Sequence, residues 1–341
     1  MLSNTFLARI PGRPLGFPSW VVAMGLPIVI GTLGVPSARA QERQIESRRF
    51  ELEYSAKVAE IPSKAAVLDL WLPLPQSDRN QTIDAITINS PGPVTIGRDS
   101  LLGNVSVFVR VKHPKAPVVV SLTIQARRTE NAGSDEPLSD EKRALYLKAE
   151  PLVPLDGPVR ALAIEATRGL RTDAEKAKAL YDKVVSVMKY DKSGTGWGRG
   201  DAIFACDAKR GNCTDFHALL IGMARSVGIP ARFAIGLSLP ASRGEGAVNG
   251  YHCWAELYVA GRGWVPVDAS EAAKNPAKRE YYFGHHDANR LEFSRGRQVT
   301  MLPAQQGKPL NFFIEPYAEI DGRPYAHVQR TAAYRDLTDS N

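Results

Sequence analysis

The sequence has 341 residues, 44% hydrophobic and 23% charged, which is ordinary globular composition with material for two domains. Lys and Arg outnumber Asp and Glu by 43 to 36, but three arginines and no acids fall in residues 1–40. The net +4 that remains beyond them is spread without a basic stripe, which excludes a nucleic-acid footprint.

Residues 1–40 read as a secretory signal peptide. Arg9 and Arg13 make a weakly basic start. An apolar run from Trp20 to Val35 follows, broken by Gly25, Pro27, Gly31 and Gly34, and Ala38-Arg39-Ala40 supplies a small-residue cleavage pattern. The run is short and broken for a spanning helix, so a periplasmic or secreted product without stable membrane insertion is expected. An uncleaved anchor is the alternative. Export would leave Cys206, Cys213 and Cys253 in a disulfide-permissive compartment, where an odd count leaves at least one thiol unpaired.

Residues 41–130 predict a β-sandwich. Phe50, Leu52, Tyr54, Ala56 and Val58 alternate with polar neighbours, as do Val105, Val107, Val109 and Val111, and turn-forming clusters separate "VLDLWLPLP" from "IDAITIN". Residues 131–155, entered through "TENAGSDEPLSDE", read as a linker. Residues 156–335 predict an α+β domain. A helix opens at Pro158, and Thr172 with Glu175 forms a capping box ahead of an amphipathic helix. The glycine-rich "SGTGWGRGD" lacks Walker spacing and reads as a cleft wall rather than a phosphate cradle. Asn212 then caps a helix with Cys213 at its first position and Asp215 at its third, and Gly228 and Pro230 end it. Strand-like segments follow: "ARFAIGLSL", "YHCWAELYVA", "GWVPVDAS" and "LNFFIEPYAEI".

Position gives Cys213 two chemical advantages. A helix N-terminus lowers a thiol's pKa, and its unpaired N–H groups can hold an oxyanion. His252 is the natural base and Asp268 the group to orient it. If Val259-Ala260-Gly261 is a three-residue hairpin loop, His252 stands directly opposite Asp268, close enough for a carboxylate to hold an imidazole N–H. A turn centred on Gly261-Arg262 would break that pairing. Singly, each residue has a plainer reading: an inert thiol, a hydrogen-bonded strand histidine, a cap aspartate. Their order along one exported chain favours chemistry.

"GNCTDFHALLIGMARSVGIPARFAIG" and "GYHCWAELYVAGRGWVPVDAS" resemble the exported bacterial branch of the transglutaminase-like superfamily, over about Tyr190 to Ala272 and more loosely to Tyr325. The resemblance implies a papain-like core with Cys213 as nucleophile, His252 as base and Asp268 as orienter, and suits an upstream β-sandwich. The second oxyanion donor varies in type among such proteins. No glutamine sits just upstream of Cys213, which leaves Trp197 as a candidate donor or cleft residue. Trp254 shields the His252–Asp268 bond or fills core. His217 packs beneath the site. Cys206 and Cys253 either pair in a disulfide or remain two buried thiols. A zinc set of Cys213, His217, His252 and Cys253 is disfavoured because adjacent strand residues point to opposite faces. No cofactor or metal is therefore expected. The expected activity is thiol-dependent acyl transfer on a peptide or carboxamide of the cell envelope. Hydrolysis by a protease or amidase, or a non-catalytic peptide- or glycan-binding module, are the alternatives.

Overall fold

The computed structural model describes residues 4–7 and 46–338. The signal segment expected over residues 1–40 lies outside the described residues except for Asn4–Leu7, an edge strand antiparallel to Gln81–Ser90.

The alternating segments form two packed sheets. Ser47–Val58 buries every second residue and pairs along its length with Val118–Thr129, which pairs in turn with Gln81–Ser90. The facing sheet centres on Val67–Leu74, flanked by Val105–Lys112 and Tyr317–Ile320. Leu68, Leu70 and Leu72 join Leu52, Tyr54 and Val120 in the common core. On the opposite face, Trp71 and Phe108 are covered by Val299, Met301 and Phe313. Covering on both faces is why "VLDLWLPL" reads as a continuous apolar run rather than an alternating one.

Two boundaries differ from expectation. Residues 156–335 do not form one separate unit, because their last strands return to the sandwich. Tyr317–Ile320 pairs with Val67–Leu74, and Gln329–Asp336 pairs with Ser47–Val58. Ladder partners so distant in sequence leave no local signal. Residues 131–155 are also more than a linker. Asn131 and His286 exchange backbone hydrogen bonds, as do Ser134 and Trp264, and Asp140–Tyr146 is a helix capped by the Ser139 hydroxyl.

The α+β part has a four-stranded antiparallel sheet in the order Gly263–Val267, His252–Val259, Ala231–Ser238, Arg290–Arg295. The helix Cys213–Ser226 packs between that sheet and the helices Gly157–Ala166, Asp173–Val187 and Ala202–Ala208. All 14 of its residues are therefore buried, where the sequence predicts one apolar face. Its polar side chains are partnered. Arg225, for example, donates to the Ala231 carbonyl at 2.9 and 3.0 Å and to Glu150 at 2.9 Å. Gly228 follows the helix at φ +86°, a conformation that suits glycine. Gln81 docks the sandwich on this sheet: it accepts from the Glu292 N–H at 2.8 Å and donates to the Glu292 carbonyl at 3.0 Å.

Candidate active site

The start of the cysteine helix is fixed by a reciprocal cap. The Asn212 side chain accepts from the Thr214 N–H at 3.0 Å, and Asp215 accepts from the Asn212 N–H at 3.0 Å. Asp215 also accepts from the Gly198 and Gly200 N–H groups at 2.7 and 3.0 Å. The glycine-rich loop thus turns its amides onto a protein carboxylate and is tied to the helix start as a wall. Gly211, at φ +154°, leaves no room for a Cβ against Asp215.

Cys213 stands at the first helical position, 2% exposed. The Cys253 thiol and the His252 imidazole are the side chains that act most strongly on its thiol. The far nitrogen of His252, Nε2, lies 2.7 Å from Asp268 Oδ2. The hairpin carrying these two pairs Val259 with Gly263 and Ala255 with Val267, so its loop is Ala260–Arg262 rather than Val259–Gly261. That is a two-residue shift from the expected register, and direct opposition of His252 and Asp268 is lost. A shift of two keeps every side chain on its face, so the contact survives diagonally. Asp268 is at once the cap of the helix Ala269–Lys274 and the partner of His252. Its Oδ1 accepts from the Glu271 N–H at 2.9 Å and the Ser270 hydroxyl at 3.0 Å.

The electrostatics favour an ion pair. Burial opposes charge on His252, but the charge and hydrogen bond of Asp268, joined by Cys213, raise its pKa to about 10. The hydrogen bond from Cys253, acting against burial, holds the Cys213 thiol well below its ordinary value, helped by the hydrogen bond and charge of His252. Burial, then the Cys213 hydrogen bond, pushes Cys253 well up, so it remains a thiol and a donor. His217 lies beneath, as expected, with Nδ1 2.8 Å from the Cys213 carbonyl and 3.5 Å from Cys253 Sγ. Burial lowers its pKa.

Several expected roles change. The Trp197 indole N–H donates to the Gly194 carbonyl at 3.1 Å, so it is committed within its own loop and is not free to hold an oxyanion. Trp254 is fully buried and is not a cleft residue; its ring lies 6.0 Å from that of His252, consistent with shielding. Cys206 and Cys253 are both free, because Cys253 faces Cys213 and His217 while Cys206 sits half-buried on the helix Ala202–Ala208. Among the described residues, no three or more His, Cys, Asp and Glu side chains are grouped to hold a metal ion.

Two residues escaped the sequence reading. Tyr190 pairs across from Gly211 in a short parallel ladder, and its ring lies 6.1 Å from Phe216 and 4.7 Å from the Lys274 ammonium. Its half-buried hydroxyl has no hydrogen-bond partner among the described residues, and burial followed by the charges of Cys213 and Cys253 raises its pKa. Arg290 reaches Asp268 at 3.0 Å from the start of the strand at the opposite edge of the sheet. "MKY" and "NRL" carry no motif, and only the sheet order brings either residue to the site.

The α+β part thus sets a helix-start cysteine against a strand histidine and an aspartate. Residues 160–269 match the family described as the transglutaminase-like superfamily. Over 211 residues the chain is 34% identical to an uncharacterised protein of Haemophilus influenzae, covering 52% of this chain and 57% of that one. Over 134 residues it is 29% identical to the uncharacterised Bacillus subtilis protein YebA, covering 35% of this chain and 18% of that one. The chain thus spans less than two thirds of either relative. A solved structure of a candidate cysteine protease from Cytophaga hutchinsonii shares the fold, with a TM-score of 0.58 at 15% identity over 87% of this chain and 93% of that one.

Proposed function

We propose that this protein is a cysteine acyltransferase or hydrolase acting on peptide or carboxamide bonds through Cys213, His252 and Asp268. The observation that supports it best is His252 itself, whose Nε2 lies 2.7 Å from Asp268 Oδ2 and whose pKa Asp268 and Cys213 together raise. The Cys213 thiolate attacks the carbonyl carbon, and the carbonyl oxygen takes up the electron pair as an oxyanion. Collapse expels the amine, which leaves with the proton from His252, and a thioester remains on Cys213. An acceptor, water or a primary amine, then gives its proton to His252 and displaces the thiolate. Asp268 holds the imidazole in the tautomer this exchange needs.

The Cys213 N–H at the helix start is one oxyanion donor. We assign the second to the Tyr190 hydroxyl. Tyr251 flanks the same helix end, but its hydroxyl is engaged by Asn212 at 3.2 Å and by Thr214. Export through the residue 1–40 segment would place the enzyme with envelope peptides as substrates. No helix among the described residues is long and apolar enough to cross a membrane.

The test is the alkylation rate of each cysteine against pH, mapped by peptide, in wild type and His252→Ala. Selective reaction of Cys213 well below pH 8, lost in His252→Ala, supports the assignment. A Cys213 that titrates like a free thiol overturns it.

A further inference from the structure

Arg290 opens the strand Arg290–Arg295 and is 1% exposed. Its guanidinium spans two carboxylates, Nη1 donating to Asp268 Oδ2 at 3.0 Å and Nη2 to Asp287 Oδ2 at 2.9 Å. The Trp254 ring lies against it at 5.0 Å, the same ring that stands beside His252. Asp268 Oδ2 therefore serves two donors, His252 Nε2 at 2.7 Å and Arg290.

Two cations on one carboxylate oxygen weaken each other's hold on it. That matters because the imidazolium must form and must also be spent. An Asp268 facing His252 alone, in a site closed to water, would bind the proton so firmly that its transfer to a leaving amine would be slow. We propose that Arg290 is a positioning residue: anchored on Asp287, it draws on the oxygen that holds His252, fixes the carboxylate plane and keeps the imidazolium proton transferable. This rests on the Cys213–His252–Asp268 reading above.

Other charges around His252 act on its proton as well. The cysteine helix presents Cys213 and the buried His217, and Cys253 is on the same strand as His252. Glu271 approaches Nε2 to 3.8 Å but is paired with Lys274. Tyr181, Tyr282 and His286 also lie near Asp268 and stay neutral, the tyrosines because burial raises them and His286 because burial lowers it. Arg290 is the cation that shares the carboxylate oxygen itself, which makes its effect separable by substitution.

The experiment is a pH titration of the His252 ring by NMR on the purified protein carrying labelled histidine, with the signal assigned by its loss in His252→Gln. Arg290→Gln should raise the His252 midpoint by about one pH unit, and Arg290→Lys should return most of that shift. An unchanged or lowered midpoint in a folded Arg290→Gln protein overturns the proposal. If that variant does not fold, Asp287→Asn decides. Released from Asp287, Arg290 should draw harder on Asp268 and lower the midpoint, and no change or a rise overturns the proposal. The readout needs no turnover, so it stands apart from the alkylation test: failure of Cys213 to react at low pH removes the proposed function, whereas His252 still reports on Arg290.

Discussion

His252 Nε2 and Asp268 Oδ2 meet at 2.7 Å although Asp268 stands one residue beyond the last ladder pair of their hairpin, Ala255 with Val267. The contact is diagonal, and four further features hold it: the Ser270 hydroxyl, the Glu271 N–H, Arg290 and complete burial of Asp268. Asp268→Asn keeps the shape but offers no charge and can stabilise the wrong tautomer. Turnover should fall about 10³- to 10⁴-fold, and the low-pH alkylation of Cys213 should fall with it. Retention of both would remove Asp268 from the mechanism.

The pH dependence follows from the same pair. His252 carries its proton up to about pH 10, and Cys213 keeps its thiolate well below the ordinary thiol range. The proposed acylation needs both, so its rate should hold through neutral pH and decline as His252 deprotonates near pH 10. A descending limb near pH 7 in pre-steady-state acylation would contradict the raised His252.

Cys253 supplies a hydrogen bond to Cys213 from a thiol that is itself hard to ionise. Cys253→Ala should raise the Cys213 pKa by roughly one unit and slow its alkylation below pH 7, while Cys253→Ser, still a donor, should stay near wild type. Equal behaviour of the two variants would show that the second thiol only fills space.

As the proposed second oxyanion donor, Tyr190 should bear on turnover rather than on the thiol. Tyr190→Phe should lower kcat by about 10²-fold, the usual loss of one oxyanion donor, and leave the Cys213 alkylation profile in place. An unchanged kcat would assign the second donor elsewhere.

His286 makes a stability prediction. Burial, then the charge of Arg290, lowers its pKa from 6.5 to about 3. The unfolded chain therefore binds a proton in this window that the folded chain refuses, and stability falls as pH drops from 6.5 toward 3. Replacing His286 with Phe should flatten that slope by about one proton, read as urea midpoints between pH 6.5 and 4.

Much of the site was legible in the sequence because its signals are local. Asn212, Cys213 and Asp215 announce a capped helix within four residues, and Gly228 with Pro230 marks its end. His252 and Asp268 lie on a single hairpin, where misplacing the turn by one residue shifts the register by two and still conserves the face. Tyr190 and Arg290 were not legible, because each joins the site through strands ordered by tertiary pairing. The opposite fate of Trp197 has a similar cause: its N–H is consumed by Gly194, a partner that only the folded loop presents. The sandwich was recognisable from alternation over residues 48–128, yet its last members were assigned elsewhere because 288 residues separate Arg48 from its ion-pair partner Asp336.

That separation governs the order in which the molecule can be made. Ser47–Val58 keeps one ladder edge open until Gln329–Asp336 has been synthesised, and Val67–Leu74 waits likewise for Tyr317–Ile320. Closing loops of this length is slow, and an unpaired apolar strand is prone to aggregate meanwhile. The early strands of the sandwich leave the ribosome before the α+β part, yet their sheets are completed only after it has been made. A chain stopped short of Tyr317 would carry every residue of the proposed catalytic constellation on a platform with two open edges.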